Sequence, residues 1–356
     1  MPSRRPHCAA PRPEPGGRRR LLCAAACQAA LGAGLAAPVA ALAQGVRVDA
    51  SSSIRFGVLP IGGAVESRES WTPLLDDLSR ALGRPVSALS VSSYEALDQA
   101  IRRGEVDLAL LSAKLALDAV SQQRMSVLAQ VKRHAGAASH RAVLLARRGA
   151  PPARLEELLA TPERWRLARG DSRSVSGFIV PQLELFLPHG VAMERFQSEL
   201  VDTHQGTALA VANDDADVAT NNTTDFERFK QQFPVEAARL HVIWESKATP
   251  PALVVARRDH PAGLQKKLQE FMAAYGHARG PRGDAEREVL KSLHAPLGFT
   301  VEDNSALLST AALDYQHARQ RALAAQWVNE AARNTRLERI ERSYAQQVES
   351  LRGAAP

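Results

Sequence analysis

The strongest constraint on the fold of this 356-residue chain is an alternation of short apolar runs and helical patterns between residues 54 and 111. Three runs, at 54–59, 86–91 and 106–111, have the length and apolar content of buried strands. Two segments of helical period lie between them and end at Gly83 and Gly104, residues that commonly terminate a helix. This alternation predicts right-handed crossover units and a mostly parallel sheet, and therefore an α/β fold. The apolar face of the first helix is formed by Trp71, Leu74, Leu75, Leu78 and Leu82.

A pair of similar segments predicts how the rest of the chain is divided. Residues 140–148 and 251–259 are apolar runs of nearly the same sequence, and each contains two consecutive arginines near its end. If both run between two lobes, they form a two-stranded hinge, and a ligand would bind in the cleft where strand and helix ends of both lobes meet. No Pro/Ser-rich linker divides the chain, which favours two lobes joined by chain crossings. The expected division is a first lobe from 50–148 and 251–304, a second lobe from 149–250, and a C-terminal helical extension over 305–356.

The N-terminal segment, residues 1–43, has the pattern of an export signal. Arg18, Arg19 and Arg20 precede an uncharged, alanine-rich apolar stretch, and the small residues Ala41 and Ala43 form a cleavage site. A retained membrane anchor is the alternative, but the alanine and glycine content makes the stretch weakly hydrophobic. We therefore expect a cleaved signal and a periplasmic protein.

Charge and cysteine content exclude several classes of function for the mature chain. Residues 1–43 hold six Arg and one Glu, and so account for five of the seven excess positive charges. The remainder is too weakly basic to indicate nucleic-acid binding. All three cysteines (Cys8, Cys23 and Cys27) lie in the same segment, which leaves no disulfide, thiolate metal site or cysteine nucleophile. A metal site of His134, His140 and His204 lacks helical ligand spacing, so we expect neither a metal nor a cofactor.

Residues 170–182 are the most informative for function. Ser172, Ser174 and Ser176 run into Gly177, and an apolar helical pattern follows in which Pro181 is tolerable only in a first turn. Such a start directs backbone N–H groups and hydroxyls at one point, where the helix dipole favours an oxyanion. An ordinary serine cap is the alternative.

Several separated segments, in the same order, resemble the periplasmic solute-binding proteins of phosphate, phosphite and phosphonate ABC transporters (the phosphonate-binding, PhnD-like family). The resemblance extends from Ile54 to Asn304. The segments that carry it are Ser174–Pro181, Leu209–Asn213, Asp217–Thr223, Val242–Ser246, Leu297–Thr300 and Asp303-Asn304.

This resemblance implies a two-lobe hinged periplasmic-binding-protein fold of type II, in which each lobe is a mixed, mostly parallel sheet flanked by helices. It implies a receptor, and no enzyme, that captures a phosphorus oxyanion and delivers it to an ABC permease in the inner membrane. The family's phosphoryl clamp corresponds to Ser174, Val175, Ser176 and Gly177. Its other ligand contacts correspond to Tyr94, His140 and His204.

The sequence departs from the family in ways that affect the ligand. Val175 stands where a threonine is common, so one hydroxyl donor is lost while the backbone N–H remains. The acids that hold the amine of aminoalkylphosphonates correspond to Thr224 and Ala252, so 2-aminoethylphosphonate is expected to be a poor ligand. Residues 112–114 replace a usual Gly-Pro and predict an altered pocket floor. Arg173 either adds positive charge to the site or points to solvent.

The C-terminal extension leaves two alternatives open. Its apolar stripe would suit either a homodimer contact or packing against its own lobe. It also motivates the alternative function, a ligand-sensing periplasmic subunit that reports to a membrane signalling protein. An α/β-hydrolase is excluded because no Gly-x-Ser-x-Gly occurs. The stripe is formed by Leu337, Ile340, Tyr344, Val348 and Leu351.

Overall fold

The computed structural model of the chain describes residues 53–61, 64–122, 124–132 and 140–353. The expected signal peptide, residues 1–43, and His134 lie outside the described residues. Among the residues that are described, no helix combines the length and the apolar content needed to cross a membrane.

Strands and helices alternate through most of the described chain. The strands are β1 (Ile54–Val58), β2 (Val86–Ser90), β3 (Leu108–Leu111), β4 (Met125–Val131), β5 (Arg141–Arg147), β6 (Arg166–Arg169), β7 (Ser198–Val201), β8 (Val218–Asn222), β9 (Leu240–Ala248), β10 (Leu253–Arg257) and β11 (Phe299–Val301). The α-helices are α1 (Ala64–Leu82), α2 (Tyr94–Arg102), α3 (Ala113–Ser121), α4 (Leu155–Ala160), α5 (His204–Ala212), α6 (Thr223–Gln232), α7 (Pro234–Ala238), α8 (Ala262–Ala274), α9 (Pro281–Ser292), α10 (Leu308–Ala324) and α11 (Glu330–Gly353).

The first sheet has six strands in the order β11-β4-β10-β3-β1-β2. As the alternation in the sequence predicted, β1 pairs in parallel with both β2 and β3. Strand β10 returns from late in the chain and pairs antiparallel with β3 and β4. Phe56 and Trp71 stack with ring centres 5.1 Å apart, so the apolar face of α1 seals this sheet. We call this sheet and its helices the first lobe.

The second sheet has five strands in the order β7-β6-β8-β5-β9. Strand β6 pairs in parallel with β7 and β8, whereas β5 pairs antiparallel with β8 and β9. We call this sheet and its helices the second lobe. Two mixed sheets flanked by helices agree with the two-lobe α/β fold expected from the sequence.

The prediction that the two similar strands form a hinge is wrong. Strand β5 lies inside the second sheet and β10 inside the first, and among the residues that the structure describes each pairs only within its own sheet. Their similar sequences reflect similar buried positions. The chain instead crosses between the sheets just before β5 and again through residues 249–252. There Thr249 donates its backbone N–H to the carbonyl oxygen of His140 at 2.8 Å, which ties the two crossings together. Residues 141–147 therefore belong to the second sheet and not to a first-lobe segment 50–148.

The C-terminal helices pack on their own chain. On α11, Ile340 and Leu351 are buried, and Leu351 belongs to a first-lobe core cluster. Tyr344 stacks on Tyr315 of α10 with ring centres 4.6 Å apart. The apolar stripe is thus used within the chain, which removes the motive both for a homodimer through α11 and for a sensing partner. Helix α10 contacts both lobes: Asp314 pairs with Lys114 of the first, and His317 hydrogen-bonds Gln182 of the second.

Candidate functional site

A cavity of about 90 Å³ lies between the two lobes. This is several times the ~10–15 Å³ that one water molecule needs, and it suits a small ligand. Its walls come from the ends of β1, β3, β6, β7 and β8, from the first turns of the helices that follow β2, β3, β6, β7 and β8, and from both crossings. Strand ends and helix starts converge there because both sheets present their carboxyl edges to the cleft. The lining residues are Leu59, Pro60, Ile61, Tyr94, Ser112, Ala113, His140, Gly170, Asp171, Ser174, Val175, Ser176, Asp202, Thr203, His204, Asn222, Thr224, Asp225, Pro250 and Ala252.

The serine segment begins a helix in the second lobe, at the position where the sequence predicted a helix start. Ser174 is the N-cap, and its hydroxyl oxygen accepts the N–H of Gly177 at 3.0 Å. The N–H groups of Val175 and Ser176, in the first turn, have no acceptor within a helix that starts here. These two donors and the Ser176 hydroxyl lie at one end of the cavity, with the positive end of the helix dipole behind them, an arrangement that suits an anion.

The helix itself differs from the expected one. It runs in π-helical turns over Val175–Ile179 and Pro181–Phe186, so Pro181 lies inside a continuous helical stretch and not in its first turn. Proline has no N–H to donate, and its ring clashes with the carbonyl of a tighter helix. The wider turn accommodates it, and such turns are frequent at functional sites.

Gly177 and Val175 contribute by packing. A Cβ added to Gly177 would lie 2.9 Å from Cα of Gly170 and 3.0 Å from Cε1 of His204. The glycine therefore lets the end of β6 and the histidine approach the helix start. Val175, which replaces the expected threonine, lies 5% exposed in the same apolar cluster as Leu111 and Ala113 of the first lobe. Its side chain therefore packs between the two lobes.

His204 begins α5, and its Nε2 lies 3.3 Å from the hydroxyl oxygen of Ser176. Burial lowers the pKa of this imidazole, although nearby Asp225 and the carbonyl of Thr220 partly oppose the shift. The ring is therefore neutral at pH 7. One nitrogen can donate a hydrogen bond, and a bound anion would favour a second proton.

Two residues behind His204 were not predicted from the sequence. Asn222 ends β8, and its side-chain N–H₂ donates to Asp225 Oδ2 at 2.6 Å and lies 3.4 Å from Ser176 Oγ. Asp225 Oδ2 is also 4.0 Å from His204 Nε2. Burial alone would raise the pKa of the Asp225 carboxyl, but His204, Arg228 and Asn222 together hold it below its usual range. An asparagine at a strand end with an acid three residues later is a helix-capping pattern, and that signal could have located the pair.

Tyr94 and His140 line the cavity as well. Tyr94 begins α2 in the first lobe, and its partly buried phenol interacts with the Ser174 hydroxyl across the cleft. Burial, with some contribution from Asp225 and Asp171, raises its pKa, so it remains a hydrogen-bond donor. His140 Nδ1 lies 3.1 Å from the Thr224 hydroxyl. Of the predicted residues, the cavity brings together Tyr94, His140, Ser174, Val175, Ser176 and His204, while Gly177 lies behind its wall.

Arg173 neither adds charge to the cavity nor points to solvent. It crosses the cleft to α2, where its guanidinium lies 2.5 Å from Glu95 and 3.6 Å from Asp98. The hydroxyl of Ser112 also donates to the Arg173 carbonyl at 3.1 Å. These contacts join the lobes beside the serine segment. Among the described residues that line the cavity, none is Lys or Arg, so its donors are uncharged groups and two histidines.

The chain is similar to known proteins over most of its described length. The family model for periplasmic substrate-binding proteins of phosphonate ABC transporters matches residues 56–307. The Escherichia coli phosphonates-binding periplasmic protein is 30% identical over 235 residues, which are 66% of this chain and 70% of that protein.

Solved structures agree. A binding protein component of a phosphonate ABC transporter from Pseudomonas aeruginosa superposes with a TM-score of 0.78 at 27% identity, covering 85% of this chain and 99% of that one. A Prochlorococcus marinus protein solved with methylphosphonate superposes with a TM-score of 0.64 at 17% identity, covering 73% and 96%, and supports the fold alone.

Proposed function

Since the chain belongs to the family of periplasmic substrate-binding proteins of phosphonate ABC transporters, which are transport receptors and not enzymes, we propose that it captures a small phosphorus oxyanion. The ligands that fit are phosphate, phosphite and short alkyl phosphonates. The receptor then delivers its ligand to a permease in the inner membrane, after export and cleavage of its N-terminal signal.

The observation that carries this proposal is the set of hydrogen-bond donors at one end of the cavity. The first-turn N–H groups, the Ser176 hydroxyl and His204 come from the second lobe, and the Tyr94 phenol comes from the first. Preorganised neutral donors with a helix dipole are a common arrangement for holding an oxyanion without a permanent counter-charge. Because the donors come from both lobes, the anion is held fully only when the lobes are closed.

We propose that aminoalkylphosphonates are poor ligands, because no acid among the described residues of the cavity lies where it could hold their amine. Thr224 and Ala252 carry no charge, and the Thr224 hydroxyl lies within hydrogen-bonding distance of His140. The largely buried carboxylate of Asp225 lies 4.0 Å from His204 Nε2 and contacts Asn222, which also contacts Ser176, so it lies at the phosphoryl end. An ammonium group at the opposite end would be buried without a carboxylate, which is costly.

We further propose that each sheet with its helices moves as one lobe. The first lobe would combine residues from 50 to the first crossing with 251–304, and the second would span 140–250. The crossings tied by Thr249 and His140 would be the hinge. Helix α10, which contacts both lobes, would limit the opening.

A binding panel tests this function. The mature protein is titrated by calorimetry and thermal shift with phosphate, phosphite, methylphosphonate and 2-aminoethylphosphonate, with L-arginine as an unrelated solute. At least one of the first three should bind, and at 100 times its dissociation constant it should add about 2.7 kcal/mol to the free energy of unfolding. The proposal is overturned if none of these three stabilises the protein.

A further inference from the structure

The cavity holds three carboxylates, which is unexpected in an anion site. Asp171 is 3.6 Å from the Arg173 guanidinium, which compensates it, and exposed Asp202 accepts the N–H of Thr203 at 2.6 Å. Asp225 differs from both because it is largely buried and its nearest neighbours are Asn222 and His204, while Arg228 adds a positive charge nearby. The electrostatics described above keep it ionised.

Asp225 lies next to the place where the ligand's oxygens would be held. The side-chain nitrogen of Asn222 is within 3.4 Å of the Ser176 hydroxyl and within 2.6 Å of Asp225 Oδ2. The Ser176 hydroxyl would hold the anion and the Asp225 carboxylate would repel it, and both of them contact Asn222. An oxyanion bound by the Ser176 hydroxyl brings one of its oxygens close to Asp225.

Whether the ligand oxygen beside Asp225 carries a proton then decides which oxyanions the site accepts. A carboxylate is purely an acceptor, so a fully ionised ligand oxygen placed against it is repelled and both groups lose water. A P–OH group in the same place donates a short charge-assisted hydrogen bond. Phosphoryl groups keep their second proton to about pH 6 or above, whereas sulfate and sulfonates have no proton to offer at that pH.

We propose that Asp225 is the specificity-determining residue of this site: it accepts the hydrogen bond of a P–OH group and so selects singly protonated phosphorus oxyanions over sulfur oxyanions of the same shape. This inference rests on the proposed function. It assigns the selectivity to Asp225, which is distinct from Thr224 and Ala252, the two positions that correspond to the family's amine-binding acids.

A matched pair of ligands tests it. At about pH 6, methylphosphonate is mainly a singly charged anion, and methanesulfonate has the same charge and nearly the same shape but lacks the hydroxyl proton. His204 and His140 present the same charge to both ligands. The ratio of the two dissociation constants therefore measures the contribution of the P–OH proton. The unmodified protein should bind methylphosphonate at least about tenfold more tightly, the minimum expected for one hydrogen bond to a charged group.

The variant Asp225→Asn should reduce that ratio to within about threefold, because its amide can turn a donor toward the sulfonate. The matched control is Asp202→Asn, which removes a carboxylate from the same cavity and should leave the ratio unchanged. Equal binding of both ligands by the unmodified protein overturns the inference, and this outcome does not depend on whether Asp225→Asn folds. An equal effect of both substitutions also overturns it. If methylphosphonate, phosphate and phosphite all fail to bind, it is the proposed function that fails.

Discussion

The hydroxyl oxygen of Ser176 lies 3.3 Å from Nε2 of His204, although 28 residues separate them in the chain. Ser176 lies in the first turn of the helix that follows β6, and His204 begins the helix that follows β7. Because β6 and β7 are parallel neighbours, their carboxyl ends bring both helix starts to the same edge of the sheet. The pair therefore forms the centre of the second-lobe half of the cavity.

Replacing Ser176 by alanine should weaken binding of the preferred phosphorus oxyanion by about ten- to a hundredfold. The substitution removes one hydroxyl donor to a charged ligand, and such hydrogen bonds contribute about 1.5–3 kcal/mol. Calorimetric titration measures the loss. Ser172→Ala is the control, since Ser172 is exposed and outside the cavity, and its affinity should match that of the unmodified protein. Unchanged affinity in Ser176→Ala would show that the hydroxyl is no ligand contact.

Gly177→Ala should destabilise the fold by about 1–3 kcal/mol, the range found when a methyl group is forced into a packed interior. The new Cβ would be 2.9 Å from both Gly170 Cα and Ser174 Oγ. Urea unfolding gives the free energy of unfolding. Gly263→Ala is a suitable comparison because, in the described part of the chain, a Cβ added there would meet nothing within 4 Å beyond its own helix, and it should be neutral or stabilising. Equal stability of the two variants would contradict the close packing at Gly177.

Arg173→Gln should weaken ligand binding several-fold while leaving each lobe folded. The substitution removes the contacts with Glu95 and Asp98 that hold the lobes together beside the serine segment. Partly exposed ion pairs contribute up to about 1 kcal/mol, which sets the size of the effect. Small-angle scattering of the ligand-free variant should show a larger radius of gyration.

Arg102→Gln is the control for Arg173→Gln. Arg102 pairs with the same Asp98 but lies on the same helix, so its loss should leave closure and affinity unchanged. If the ligand-free Arg173→Gln protein is as compact as the unmodified one, Arg173 does not hold the two lobes together.

Stability should fall as the pH is lowered from about 6.5 toward 4, partly because of His317. Burial, aided by Arg321, lowers its pKa to about 4. Since the unfolded chain binds this proton more readily than the folded one, the neutral ring stabilises the fold above pH 6.5, and this contribution is lost as the pH falls toward 4. At pH 4.5 the loss should be about 2–3 kcal/mol relative to pH 7.

His317→Gln can keep a hydrogen bond to Gln182 and should flatten this part of the pH profile, as measured by urea unfolding at both pH values. His189→Gln replaces an exposed histidine and should leave the profile as it is. A profile equally steep in both variants would exclude His317 as its cause.

Much of the site could be predicted because its residues lie at helix starts, where local chemistry is informative. Ser174 and Ser176 have the composition of an N-terminal anion site, and the family resemblance indicated Tyr94, His140 and His204. Asn222 and Asp225 were missed, since a capping pair usually serves only its own helix. Arg173 could not be placed because its partners, Glu95 and Asp98, are brought near only by closure of the two lobes.

The local sequence pattern likewise could not predict which strands pair with one another. The near-identical runs at 140–148 and 251–259 were correctly predicted as strands, but they lie in different sheets. Apolar content makes a strand buried without specifying its neighbours, because hydrophobic burial has no direction.

The sequence by itself determined the α/β class, the helix starts that carry the hydrogen-bond donors, and the family, since these depend on short-range periodicity and ordered motifs. Only the tertiary structure decided which groups face one another: Asn222 against both the Ser176 hydroxyl and the Asp225 carboxylate, Val175 in a core shared by both lobes, and α11 packed on its own chain. The physical reason is that charge, desolvation and packing act through space, between residues that the chain brings together only when it folds.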